Sequence, residues 1–216
     1  MKRRTVILAA AAATVLLLAS APPRPPILVW NASASLPVGL YLIRGKAVLR
    51  VGERVALDPP PKLREFLTGR GYLPDGVPLL KEVAGLPGDR VCRSGAVVTI
   101  NDKPVGLARA IDSRSQVLPG WQGCRIVAAD QVFVMNRRAP DSFDGRYFGV
   151  LACSSVIGRA IPVWTNEASE GGFAWFARPS VPTTPNHKPE TYHDLHRHVH
   201  CHPRGLRRAP AYPHDR

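Results

Sequence analysis

Across residues 31–176 the apolar positions come in short runs, and their spacing predicts strands far more often than helices. Val48-Leu49-Arg50-Val51 and Val55-Ala56-Leu57 are two such runs, broken at Gly52 and closed by Pro59-Pro60-Pro61. Leu63, Phe66 and Leu67 then carry one brief helical spacing, and Gly71 to Pro78 reads as a loop. Leu79 to Leu86 is a predicted strand with Leu79, Lys81 and Val83 on one face, because side chains two apart share a face of extended backbone. After the turn Pro87-Gly88-Asp89, Val97 to Ile100 and Lys103-Pro104-Val105 form an expected hairpin, since Asn101-Asp102 tolerate the left-handed turn conformation. Further strands are expected at Gln131 to Met135, Arg146 to Leu151 and Val156 to Trp164. Long helical periodicity is absent, so the domain is expected to be mainly β.

Different patterns bracket that domain. Met1-Lys2-Arg3-Arg4 (1–4) is a basic stub, followed by an uncharged run of 17 residues from Thr5 to Ala21 (5–21). That length is at the lower limit for a membrane-spanning helix, and the basic flank should stay cytoplasmic. Ala19-Ser20-Ala21 resembles a cleavage site for a removable signal, but Pro22 directly after it fits a processing site poorly and favours an uncleaved anchor. Residues 22–30 form a Pro-rich spacer that keeps the following segment close to the membrane face. The expected placement is therefore a single pass through the inner membrane with residues 31–176 in the periplasm. Residues 177–216 are rich in Pro, Arg and His with little apolar periodicity, which predicts a disordered tail.

The 216 residues suffice for one domain with a core. A net charge of +13 admits nucleic acid, an acidic membrane surface or a solvated basic exterior. The basic residues are scattered and carry no helix-turn-helix, RNA-binding or zinc-finger pattern, so nucleic acid is not an expected partner. Four cysteines allow one or two bridges outside the cytoplasm. Cys92 and Cys124 are the candidate pair, and closing their 32-residue separation would contribute about 3 to 4 kcal/mol. Cys153 follows a strand-like run and reads as a buried thiol. His193 to His202, with Cys201, has metal-ligand residue types without a defining spacing, so neither a metal nor a cofactor is expected.

The chemistry starts at Asn31-Ala32-Ser33-Ala34-Ser35-Leu36-Pro37-Val38-Gly39. In extended backbone the two serines would point to one side, so that one hydroxyl reacts while the other bonds the same substrate atom. Most serine-proline loops are only turns, so Ser35 needs a base. All seven histidines lie between His187 and His214, in the tail. A lysine is the better candidate, provided that burial lowers its pKa from about 10.4 by roughly two or three units. Lys81 has that placement beside Leu79 and Val83, whereas Lys46, Lys62 and Lys103 lie in loop-like or turn-adjacent contexts. A lysine on such a strand more often snorkels from an edge.

Three segments in order decide between these. Ser35-Leu36-Pro37, Lys81-Glu82-Val83-Ala84-Gly85-Leu86-Pro87-Gly88-Asp89 and Ser142-Phe143-Asp144-Gly145-Arg146-Tyr147-Phe148-Gly149 resemble three boxes of the type I signal peptidases. Pro37-Val38-Gly39-Leu40-Tyr41 resembles the Pro-x-Gly-Leu-Tyr of the TraF-type conjugative transfer peptidases more closely than the leader peptidases. The likeness spans roughly Trp30 to Trp164. It implies an antiparallel β domain behind one transmembrane helix and a serine endopeptidase with a Ser-Lys dyad. Ser35 would be the nucleophile, Lys81 its general base and Ser33 an oxyanion donor together with the Ser35 backbone N–H. Asp144 and Arg146 would form a supporting ion pair. Gly145 stands where many relatives carry a serine that hydrogen-bonds the lysine, with Ser142 the nearby hydroxyl that could substitute. The implied substrate is an exported pilin-like precursor, and other conjugation proteins are candidate partners. In this family the acyl-enzyme can be resolved by the substrate's own terminus, giving a cyclic product. The alternatives are a general leader peptidase and an inactive conjugation assembly factor with the same fold.

Overall fold

The computed structural model describes residues 28–45, 48–168, 172–176 and 199–200. The expected anchor, the expected spacer before Leu28 and most of the expected tail therefore lie outside the described residues. Among the described residues no helix is long and apolar enough to cross a membrane.

Among the described residues fourteen strands carry the fold: β1 (Leu28–Asn31), β2 (Gly39–Arg44), β3 (Val48–Leu49), β4 (Arg54–Leu57), β5 (Leu79–Gly85), β6 (Arg90–Ser94), β7 (Val97–Ile100), β8 (Lys103–Leu107), β9 (Gly123–Ile126), β10 (Gln131–Val134), β11 (Leu151–Ala152), β12 (Val156–Ala168), β13 (Gly172–Trp175) and β14 (Val199–His200). Among the described residues the two α-helices are short, α1 (Pro61–Gly69) and α2 (Gly145–Phe148). The main antiparallel sheet runs β1-β2-β12-β4-β5-β10-β11, with β13 folded back on β12. A second, four-stranded sheet has the order β8-β7-β6-β9. The mainly β expectation holds.

Long β12 ties the main sheet together, because one part of it pairs with β2 and another with β4. β5 sits between β4 and β10. A strand so placed has both edges paired, and six of its seven residues are buried, so both of its faces are covered and Lys81 lies within. Leu57, Leu67, Val83 and Val134 pack in one core cluster, while Val91, Val98, Phe133 and Met135 fill another under the small sheet. The expected hairpin is present, with Asn101 at φ 50° and Asp102 at φ 65°.

Three expectations are corrected. Residues Arg146 to Leu151 do not form a strand. Asp144 caps a single helical turn there by accepting from the Arg146 backbone N–H, and strand begins again only at Leu151. Cys153 is buried but disulfide-bonded, not a thiol; burial shields a bridge from reductant as well as it shields a thiol, so burial did not distinguish the two. Of the tail predicted to be disordered, Val199–His200 pairs with β3. The Cys92–Cys124 bridge is present between facing residues of β6 and β9.

Candidate active site

The two serines lie on the connection between β1 and β2, which is a turn, not the extended segment expected. They meet all the same, with the two Oγ atoms 2.9 Å apart. Asn31 makes this possible. Its Nδ2 donates to the carbonyl oxygens of Ser33 (2.9 Å), Leu36 (3.0 Å) and Pro37 (3.1 Å). Its Oδ1 accepts from the Ser33 backbone N–H and faces the Ser33 hydroxyl at 3.2 Å. An Asn side chain bonded to backbone two residues on is a recurring way to fix a turn, so Asn-x-Ser was the sequence signal for this role. Tyr41 adds a bond from its hydroxyl to the Pro37 carbonyl, 2.7 Å. Gly39 closes the turn at φ 145°, and a Cβ there would stand 2.2 Å from the Trp164 carbonyl oxygen.

Lys81 enters from the centre of β5 and is only 2% exposed, which rules out a snorkelling edge lysine. Lys62 and Lys103 are exposed. Burial pushes the Lys81 ammonium down from 10.5 to about 8; the Asp144 carboxylate opposes the shift and Arg146 adds to it. Nζ donates to Ser142 Oγ at 2.8 Å. The direction of Ser142, which sequence left open, is thus toward the lysine. Ser35 bonds Ser33 rather than Lys81. All four side chains line one cavity of about 830 Å³, so the structure brings the expected nucleophile and base together without a direct bond between them. Such bonds are often loose before substrate binds.

Asp144 and Arg146 are buried at 0% and 1% exposure and form the expected ion pair, 2.8 Å from Arg146 Nη2 to Asp144 Oδ2. The pair reaches the lysine from two sides. Asp144 Oδ2 accepts from the Asn136 backbone N–H (3.0 Å), and Asn136 Oδ1 accepts from the backbone N–H of Glu82, the residue after Lys81 (2.8 Å). Arg146 Nη2 donates to the carbonyls of Ala139 (2.7 Å) and Ser142 (3.1 Å), which holds the loop that carries the lysine's partner. Asn136 is the second functional residue that the sequence reading missed.

Gly145 proves to be a packing requirement. A Cβ there would lie 2.6 Å from both the Phe133 ring and the Val134 carbonyl oxygen. Gly145→Ser should therefore destabilise the domain by about 1–3 kcal/mol, as overpacking does, and a denaturant melt measures it. An unchanged or raised midpoint would show that the ring gives way.

A second cavity of about 410 Å³ adjoins Ser35, and its wall mixes Leu36, Pro37 and Val38 with the charged groups Arg54, Glu82 and Glu167. The larger cavity is more apolar, with Leu73, Leu79 and Phe143 in its wall. Two pockets of unlike character at one serine suit a chain crossing it. Among the described residues no group of His, Cys, Asp or Glu could hold a metal ion.

Comparison with known proteins finds relatives among transfer proteins and signal peptidases. Conjugal transfer protein TraF of Agrobacterium fabrum is 32% identical over 145 residues, covering 62% of this chain and 81% of the relative. Plasmid transfer protein TraF of Escherichia coli is 32% identical over 146 residues with the same coverage. A signal peptidase I of Leptolyngbya laminosa is 32% identical over 83 residues, 38% of each chain. Among solved structures, a signal peptidase I of Enterococcus faecalis V583 aligns at 20% identity and a TM-score of 0.32, covering 54% of this chain and 98% of that one. The family model described as signal peptidase, peptidase S26, matches residues 2–165, and the chain is accordingly a TraF-type member of that serine peptidase family.

Proposed function

We propose that this protein is an endopeptidase working through Ser35 and Lys81, and that it processes an exported pilin-like precursor for conjugative transfer at the periplasmic face of the inner membrane. The observation that carries the reading is the buried Lys81, poised near neutral pH in the cavity that holds the paired serines. Neutral Lys81 takes the Ser35 proton as Oγ attacks the scissile carbonyl, and returns it to the leaving amine. It then activates water, or the incoming amine of the substrate's own terminus, against the ester. The Ser35 backbone N–H and the Ser33 hydroxyl receive the oxyanion. Ser33 has one proton to give, so its hydroxyl must turn from its present partners toward the substrate. Losing one such donor costs about 3 to 4 kcal/mol in a well-studied serine protease. The Ser142 hydroxyl beside Lys81 supports this reading over the inactive assembly factor, since it gives the lysine a serine partner despite Gly145.

The test is to incubate full-length protein in membranes with a pilin-like precursor from its own conjugation genes and, separately, with a general secretory preprotein. Intact mass spectrometry should find the pilin precursor trimmed. A further loss of one water would identify cyclisation. Cleavage of the general preprotein alone would make this a leader peptidase, and cleavage of neither would remove the reading.

A further inference from the structure

We propose that Trp121 and Arg93, two residues attached to the small sheet, are positioning residues for the lysine, acting through the backbone of the one-turn helix α2. This rests on the Ser35–Lys81 reading and extends it to a part of the chain that touches neither side chain.

A helix of four residues has no stability of its own, and its carbonyls need partners from outside. In α2 the Gly145 carbonyl accepts from the Gly149 backbone N–H that closes the turn (3.0 Å) and, as a second bond from outside it, from the Trp121 indole N–H, 3.0 Å away and 24 positions distant in sequence. The Arg146 carbonyl accepts from Arg93 Nη1 at 2.7 Å, across 53 positions. Arg93 is itself fixed. It is 9% exposed, its Nε donates to the Gly95 carbonyl at 3.1 Å, and a Cβ on Gly120 would stand 2.6 Å from its Nη1. Arg93 follows Cys92 directly and Trp121 precedes Cys124 by three positions, so the Cys92–Cys124 bridge holds the two donors on one rigid unit. The Arg125 guanidinium lies 5.9 Å from the Trp121 ring centroid and helps to seat it.

From α2 the connection runs on without a gap. The Arg146 side chain grips the carbonyls of Ala139, Pro140 and Ser142. Ser142 Oγ then receives the Lys81 hydrogen bond. The small sheet thus sets where the Ser142 hydroxyl stands, and with it the dryness and direction of the lysine. Loosening the grip admits water to the buried ammonium, which moves its titration upward.

The test compares full-length wild type with Trp121→Phe, which keeps the ring and loses the N–H, and with Arg93→Met and Arg93→Lys. Rates on the precursor are measured against pH, and Lys81 is titrated independently by its reactivity toward an amine reagent, read by peptide mass. Trp121→Phe and Arg93→Met should lower kcat about 5- to 20-fold with KM within twofold, and raise the Lys81 midpoint by half a pH unit or more. Arg93→Lys, which keeps a donor, should recover most of the rate. If Arg93→Met does not fold, Trp121→Phe decides alone. An unmoved Lys81 midpoint with normal kcat, or a loss spread equally over kcat and KM with the midpoint unmoved, overturns the proposal. A Lys81→Ala variant that stays active on the precursor would instead overturn the Ser-Lys reading beneath it.

Discussion

Ser35→Ala and Lys81→Ala should each lower precursor processing by about 10⁴-fold or more, and the double change should lower it no further, because residues that act as one unit lose their effect together. Lys81→Arg should be as inactive, since a guanidinium stays protonated and cannot accept the serine proton. The wild-type rate should rise with pH through a midpoint near 8, where Lys81 loses its proton. Below that pH the lysine is an ammonium with no lone pair to offer. The same residue should cost stability. Its folded pKa lies below its unfolded value, so the unfolded chain binds the extra proton between the two. Stability should therefore climb as pH rises from about 8 toward 10.5, the window between the folded and ordinary values. At pH 7 the full penalty, about 3 kcal/mol at 1.36 kcal/mol per pH unit, is in force. Lys81→Met should consequently be inactive and more stable than wild type at pH 7, a combination that a loss through misfolding cannot give. Near-normal turnover by Lys81→Ala beside a dead Ser35→Ala would mean that another base serves the serine.

What the sequence could disclose here was whatever depends on spacing along the chain. Lys81 was legible because a strand face is a period-two pattern, and the absence of histidine before residue 187 is a plain count. The pairing of Cys92 with Cys124 and the Asn101-Asp102 hairpin were legible for the same reason. The serine turn was not. Its geometry is set by Asn31 bonding three carbonyls, and extended backbone with serines two apart gives the same meeting of hydroxyls by a different route. The failed strand at Arg146 to Leu151 shows the other limit. Arg146, Tyr147 and Phe148 have strand-like neighbours, but a buried carboxylate at Asp144 caps a helical turn, and the donors that complete it come from Trp121 and Arg93. The role of Ser142 depends on that turn. It follows from tertiary contacts that no local pattern records.

Asp144→Ala should cost about 3–5 kcal/mol, the usual loss when one partner of a buried ion pair is removed. The carboxylate is fully buried and accepts from Arg146 Nε (2.9 Å), Arg146 Nη2 (2.8 Å), the Arg146 backbone N–H (3.1 Å) and the Asn136 backbone N–H (3.0 Å). Removing it leaves the Arg146 guanidinium charged in a dry site and two backbone donors without an acceptor. At about 2–4 °C per kcal/mol for a domain of this size, melting should fall by roughly 10 °C. Arg146→Met also breaks the pair but leaves the carboxylate with its backbone donors. The double change Asp144→Ala/Arg146→Met should cost clearly less than the sum of the singles, because no charge is then left buried alone. Activity should fall further than stability explains, since Asn136 would release the backbone beside Lys81 and the Ser142 loop would lose its anchor. Thermal melts and precursor assays on the four proteins decide the matter. A single Asp144→Ala that melts within 2 °C of wild type would show that water reaches the pair, and that the pair does not hold the lysine in place.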